Sequence, residues 1–229
     1  MSTHFFQDRP FAKGALLVIP IMLCVFVMGK HFPQVGVSGF SKLIIAFEFA
    51  KTTGDIHQIL GPLQPAQIDG IDRGNYVDFA FMLFYAAFIF LFFKVAKTVF
   101  GIKELAIGQV LAVVIFFSDM LENMQLLHIT KAYRGDSPNL EIDPFLFQLQ
   151  LFTWLKWLGL GLALLLASFG LQKGDWVAKM MAVICVFPFL LSIIALITGA
   201  TPWIERFTQS IFIGLAGLMI ASFFIRPKS

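Results

Sequence analysis

The chain has 229 residues, 58% of them apolar and 14% charged, with a formal net charge of +3. Soluble domains average roughly 45–50% apolar and about 25% charged. The composition therefore excludes an ordinary water-soluble domain, and so small a charge, spread over loop ends, excludes a basic nucleic-acid surface. The 28 phenylalanines belong in lipid, and the expected class is all-α, a polytopic transmembrane helix bundle.

Six spans are predicted in chain order: Phe11–Gly29, Tyr76–Ala96, Glu104–Ile129, Phe145–Leu171, Trp176–Thr198 and Trp203–Ile225. Each reaches or approaches the ~20 residues that carry a helix across about 30 Å of hydrocarbon. Arg9 and Lys13 precede the first span as they would in a signal peptide. Its end, Val27-Met28-Gly29-Lys30, lacks a small-x-small cleavage site, which favours a retained helix. Pro20 and Pro188 fall inside spans and are expected to kink them. Residues 1–229 read as a single integral membrane domain, without the internal repeat found in many transporters.

The long segment between the first two spans is more than a loop. Phe40–Lys51 is apolar on one side, with Ser41, Glu48 and Lys51 on the other. It is short for a span and is expected at the interface, or dipping in from outside. Thr52 with Asp55 resembles a capping box that starts a second short helix, which Gly61-Pro62 ends. The outer interfacial segment thus covers residues 40–61, and Pro65 and Gly70 are expected to mark irregular chain before the second span.

Basic residues set the orientation. With the N-terminus inside, the inner segments hold Arg9, Lys13, Lys94, Lys97, Lys103, Lys173, Lys179, Arg226 and Lys228. The longer outer segments hold Lys30, Lys42, Lys51, Arg73, Lys131, Arg134 and Arg206. The acids Asp55, Asp69, Asp72, Asp136, Glu141 and Asp143 also fall outside. Both termini are therefore expected in the cytoplasm.

Ionisable residues inside a span are costly, and they face a bundle interior or a wet cavity. The second span carries Asp78, with Asn75 and Tyr85 on nearly the same face. The third carries Asp119, Glu122 and Asn123 on one face about 100° wide, and the fourth carries Lys156. At ~1.5 Å of rise per residue, Asp78 lies roughly 9 Å below the outer surface, Glu122 about 10 Å, Asp119 about 15 Å and Lys156 about 17 Å. If the helices are neighbours, these groups form one polar centre open to the outside. Two readings stay open. Lys156 can neutralise Asp119 or Glu122, with Asn123 and Tyr85 satisfying the remaining hydrogen bonds, as glue between helices. Alternatively, three acids against one ammonium leave an excess that must be met by a proton, a cation or a substrate. Glu48 likewise either pairs with Lys51 on an exposed face or is folded over the centre by its helix.

Other motifs are weak. His57 and His128 could join the acids as metal ligands, but an interfacial histidine fits His128 better. Asp136, Asn139, Glu141 and Asp143 lack the spacing of a calcium loop. Cys24 and Cys185 form neither a disulfide framework nor a metal spacing. No cofactor motif is read, while a bound cation or lipid is compatible with the acids.

The stretches Phe47–Thr52 (FEFAKT), Asp78–Tyr85 (DFAFMLFY) and Asp119–Leu127 (DMLENMQLL) resemble a group of uncharacterised bacterial membrane proteins. In that group Phe-Glu-x-Ala, Asp-Phe-x-Phe and Asp-x-x-Glu-Asn stretches recur in this order. The resemblance covers about residues 40–160 and implies a bacterial inner (plasma) membrane location, but no chemistry.

Three functions fit. A small transporter or ion/proton-coupled carrier would use Asp119 and Glu122 to hold its ion, with Lys156 balancing charge. A membrane-embedded enzyme acting on a lipid or quinone would use Glu122 as base, Asp119 as acid or metal ligand and Asn123 as donor. An accessory subunit would use the acids as internal glue. Membrane lipid is a partner in each, and a homo-oligomer or a partner subunit stays open. The carrier is the leading expectation.

Overall fold

A computed structural model of the chain describes residues 8–37, 39–135 and 141–226. Asp136, Asn139 and Lys228 lie outside the described residues. The order is α1 (Ala12–Ala15), α2 (Val18–His31), α3 (Leu43–Glu48), α4 (Thr53–Leu60), α5 (Pro65–Val99), a 3-10 turn (Lys103–Ala106), α6 (Ile107–Tyr133), α7 (Asp143–Leu171), α8 (Trp176–Thr198) and α9 (Thr201–Ala221). No strand occurs among the described residues. Six helical stretches are long and apolar enough to cross a membrane, with α1 and α2 together forming the first. The fold is an all-α polytopic bundle of an integral membrane protein.

Exposed side chains agree with that class. Ile19, Met22, Leu23 and Phe26 of α2 and Trp176, Val183, Phe187 and Ile197 of α8 lie open. Contiguous apolar surface on this scale belongs against lipid. The first span has 22% of its apolar window buried and α7 has 61%, so α7, which bears Lys156, is the more enclosed helix.

Contacts group the chain into two compact units. One, the acid-bearing unit, takes Pro20–Leu83 and Phe116–Lys156. The second takes the chain up to Ile19, Phe84–Ile115 and everything from Trp157 on.

Three local expectations change. Proline lacks an amide hydrogen and clashes with the carbonyl four residues back. Pro20 therefore sits in the first turn of α2, and the helix break falls upstream, where Leu17 and Ile19 bond back only three residues, to Gly14 and Leu16. Pro65 does not mark irregular chain; it opens α5, a position where the missing N–H costs nothing. Gly70 lies inside the same helix because a neighbour comes close. A Cβ there would stand 2.6 Å from the His31 carbonyl oxygen, and a Cβ on Gly74 would strike the Phe32 ring. α5 is thus 35 residues long and starts eleven residues before Tyr76. The capping box holds: Asp55 N–H donates to Thr52 Oγ1, and Thr52 N–H donates back to Asp55.

In the second unit, small residues let helices approach. Gly161 of α7 faces the backbone of α8 at Pro188 and Phe189, and Gly214 of α9 faces Pro188 and Leu164. α8 runs continuously through Pro188 and ends on Gly199 in the left-handed region (φ 58°). Arg9 Nη1 donates to the Phe223 carbonyl at 3.0 Å. The two ends of the described chain therefore lie on one side.

Candidate functional site

The acid-bearing unit is held by two antiparallel polar ladders. The first joins α5 to α6. Asn123 Nδ2 donates to Asp78 at 2.7 Å, Thr130 to Asp72 at 2.6 Å, and Arg134 reaches Asp69 at 3.2 Å and Asp72 at 2.6 Å. The second lays the segment from α3 to α4 along the start of α7. Thr53 donates to Asp143 at 2.5 Å, Gln150 to the Lys51 carbonyl at 3.2 Å, and Phe49 meets Trp154 edge-on at 5.3 Å. In each ladder the contacts move forward along one segment as they move back along the other: Asp69, Asp72 and Asp78 against Arg134, Thr130 and Asn123, and Phe49, Lys51 and Thr53 against Trp154, Gln150 and Asp143. The paired segments are therefore antiparallel.

Lys156 lies where these ladders converge. Its Nζ is 3.2 Å from Asp119 Oδ1 and 3.3 Å from Glu48 Oε2, and it is paired with Glu122 Oε2. Glu48, Asp119, Glu122, Asn123 and Lys156 are all buried, and Glu122 has no exposed surface. The Thr153 hydroxyl oxygen lies 2.7 Å from Glu122 Oε1 and 3.1 Å from the backbone carbonyl oxygen of Glu48. Asp78, half-buried, hangs on Asn123 and feels the charges of Asp119, Lys156 and Glu48. Three carboxylates therefore share one ammonium, with a fourth, Asp78, held beside them by Asn123.

Local sequence explains this convergence. Asp119, Glu122 and Asn123 are spaced three and four residues apart and so share a face of α6. Thr153 and Lys156 stand one turn apart on α7 in the same way. Glu48 ends α3, whose Leu43, Ile45, Ala46 and Phe47 are all buried. Burial of that apolar helix carries Glu48 inward, toward Lys156 and away from the exposed Lys51 pairing. Asn75 is buried beside this face, with neither amide atom hydrogen-bonded among the described residues. Tyr85, two turns beyond Asp78 on α5, is buried in the second unit.

The remaining candidates fall elsewhere. The His57 ring meets Tyr133 at 5.4 Å and the His128 ring meets Phe145 at 5.0 Å. No group of three or more His, Cys, Asp or Glu side chains among the described residues is arranged to hold a metal ion. Asp55 lies outside the spans, at the start of α4. Partial burial works to raise its carboxyl, but the Lys51 and Thr52 N–H groups, at 2.9 Å each, outweigh it and hold it below the usual range. The sequence reading missed Thr153; the three-residue spacing to Lys156 is the signal that could have found it. It also missed the role of Arg134, which it counts only among the outer basic residues.

An apolar crevice within the second unit is lined by Ile89, Phe92, Ala163 and Leu218 among others. The acids, by contrast, are packed against their partners, an arrangement suited to protons or bare ions. No protein-family model, no curated protein and no solved structure matches the chain.

Proposed function

We propose that the chain is a small ion- or proton-coupled carrier of a bacterial inner membrane, with both termini in the cytoplasm. The single observation that carries the reading is the excess of carboxylates over ammonium at Lys156, three in contact with it and Asp78 beside them on Asn123. Helix glue needs charges that cancel. A net negative, enclosed cluster instead holds an exchangeable positive charge. The motif resemblance and the basic residues Arg9, Lys13, Lys94, Lys97 and Lys173 support the location and orientation.

Reconstitution into liposomes tests this. Proton and alkali-cation fluxes should follow an imposed gradient, and Asp119→Asn should bring them to the level of empty vesicles. Wild-type protein that moves neither protons nor cations under any gradient removes the carrier reading.

A further inference from the structure

We infer that the ion held at this centre is a proton on Glu122 Oε1, received by the Thr153 hydroxyl under the control of α3. The inference deepens the carrier reading and rests on it for transport, but not for the proton itself.

Hydrogen counting comes first. A threonine hydroxyl has one hydrogen and two lone pairs. Thr153 Oγ1 faces two oxygens, Glu122 Oε1 at 2.7 Å and the Glu48 carbonyl at 3.1 Å. A backbone carbonyl only accepts, and an ionised carboxylate only accepts. With Glu122 ionised, one hydrogen must serve two acceptors. With Glu122 as the acid, Glu122 donates to Thr153 and Thr153 donates to Glu48, so each contact has its own hydrogen. The 2.7 Å separation is the usual length of an O–H···O bond. Glu122 Oε2 is then the carbonyl oxygen of the acid and still accepts from Lys156.

Charge points the same way. Glu122 is faced by Glu48 from α3, by Asp119 on its own helix and by Lys156 from α7, with Asp78 beyond Asn123 on α5. Carboxylate oxygens that share one nitrogen within 3.3 Å lie no more than about 6.6 Å apart. At an effective dielectric of 20, each such pair repels by at least ~2.5 kcal/mol. One proton on the fully buried Glu122 relieves repulsion with two neighbours and removes a buried ion, leaving Lys156 paired with Glu48 and Asp119.

α3 enters through both groups of Glu48. Docked, its carbonyl turns the Thr153 hydrogen away from Glu122, leaving a lone pair there to receive the acid, and its carboxylate adds negative charge. Lifted away, it frees the hydroxyl to donate to an ionised Glu122 and takes that charge along. Protonation of Glu122 takes one proton from water and deprotonation returns it; no other bond changes.

Infrared spectroscopy of the full-length protein in liposomes at neutral pH tests this. A carboxylic-acid carbonyl band is expected that E122Q abolishes, that T153V shifts and that T153S leaves in place. No acid band sensitive to E122Q, or a band that sodium, potassium or calcium salts erase at constant pH, overturns the proposal. Should E122Q fail to fold, T153V decides: a band it leaves unmoved overturns the assignment to Glu122. An acid band in protein that carries no flux removes the carrier reading and keeps the proton. Cation flux without an acid band removes the proton and keeps the carrier.

Discussion

Lys156 Nζ and Glu48 Oε2 stand 3.3 Å apart, with side chains only 6% and 10% exposed. This ion pair ties a six-residue helix outside the spans to the well-enclosed α7. Its two partners are not equivalent. Lys156 serves three acids; Glu48 is one acid of several.

Removing Lys156 should therefore cost far more than neutralising Glu48. Lys156→Met leaves buried carboxylates without their counter-ion, a change that typically costs about 3–5 kcal/mol. Glu48→Gln removes one favourable pair but also two repulsions, so its loss should be much smaller. Thermal unfolding in detergent orders the two. Equal melting temperatures for Lys156→Met and wild type would falsify the buried cluster.

Asn123 and Asp78 invite an exchange. Asn123→Asp places two carboxylates across a 2.7 Å contact and should destabilise strongly. The double variant Asn123→Asp with Asp78→Asn restores a donor facing an acceptor and should recover most of the loss. A double-mutant cycle reads the coupling, and strictly additive losses would count against the contact.

Glycines separate close approach from idle flexibility. Gly70→Ala must displace the His31 carbonyl, and overpacking of this kind costs about 1–3 kcal/mol. Gly29 has nothing within 4 Å of an added Cβ. Gly29→Ala should be neutral, or stabilise by up to about 1 kcal/mol through helix propensity. Detergent unfolding midpoints moving in the same direction for both would contradict the packing of α2 on α5.

Acid should loosen α4. The Asp55 carboxyl is held below its usual range by the Lys51 and Thr52 amides. A depressed carboxylate lends stability above its unfolded pKa of about 3.9 and loses it as pH falls toward the folded value. Hydrogen-exchange protection over Thr53–Leu60, relative to the intrinsic rate at each pH, should therefore fall below about pH 4 in wild type. Asp55→Asn should exchange faster than wild type at neutral pH and show no such acid step.

Much of this was legible in the sequence because spans and caps are local. Twenty apolar residues in a row leave few alternatives, and a Thr-x-x-Asp pair announces its own hydrogen bonds. Pro65, Gly70 and Gly74 misled because the same residues break helices or permit tight packing, and only the neighbour, here His31 or Phe32, decides which. Glu48 was ambiguous for a similar reason. Lys51 is near in sequence, Lys156 is far, and burial of Leu43 and Phe47 tips the choice. Thr153 carries no charge to draw notice, and its meaning comes from two oxygens supplied by other helices.

At ~1.5 Å per residue, the 35 residues of α5 extend about 52 Å. Hydrocarbon takes up about 30 Å, and an average tilt of about 20° adds only ~2 Å. The overhang falls at the two polar ends, where Asp69, Asp72 and Arg73 precede the apolar run and Lys94 and Lys97 close it. Asp78 follows Pro65 by about 20 Å of helix, near the outer end of the apolar run. The cluster therefore begins near the polar end of α5 and not midway along it.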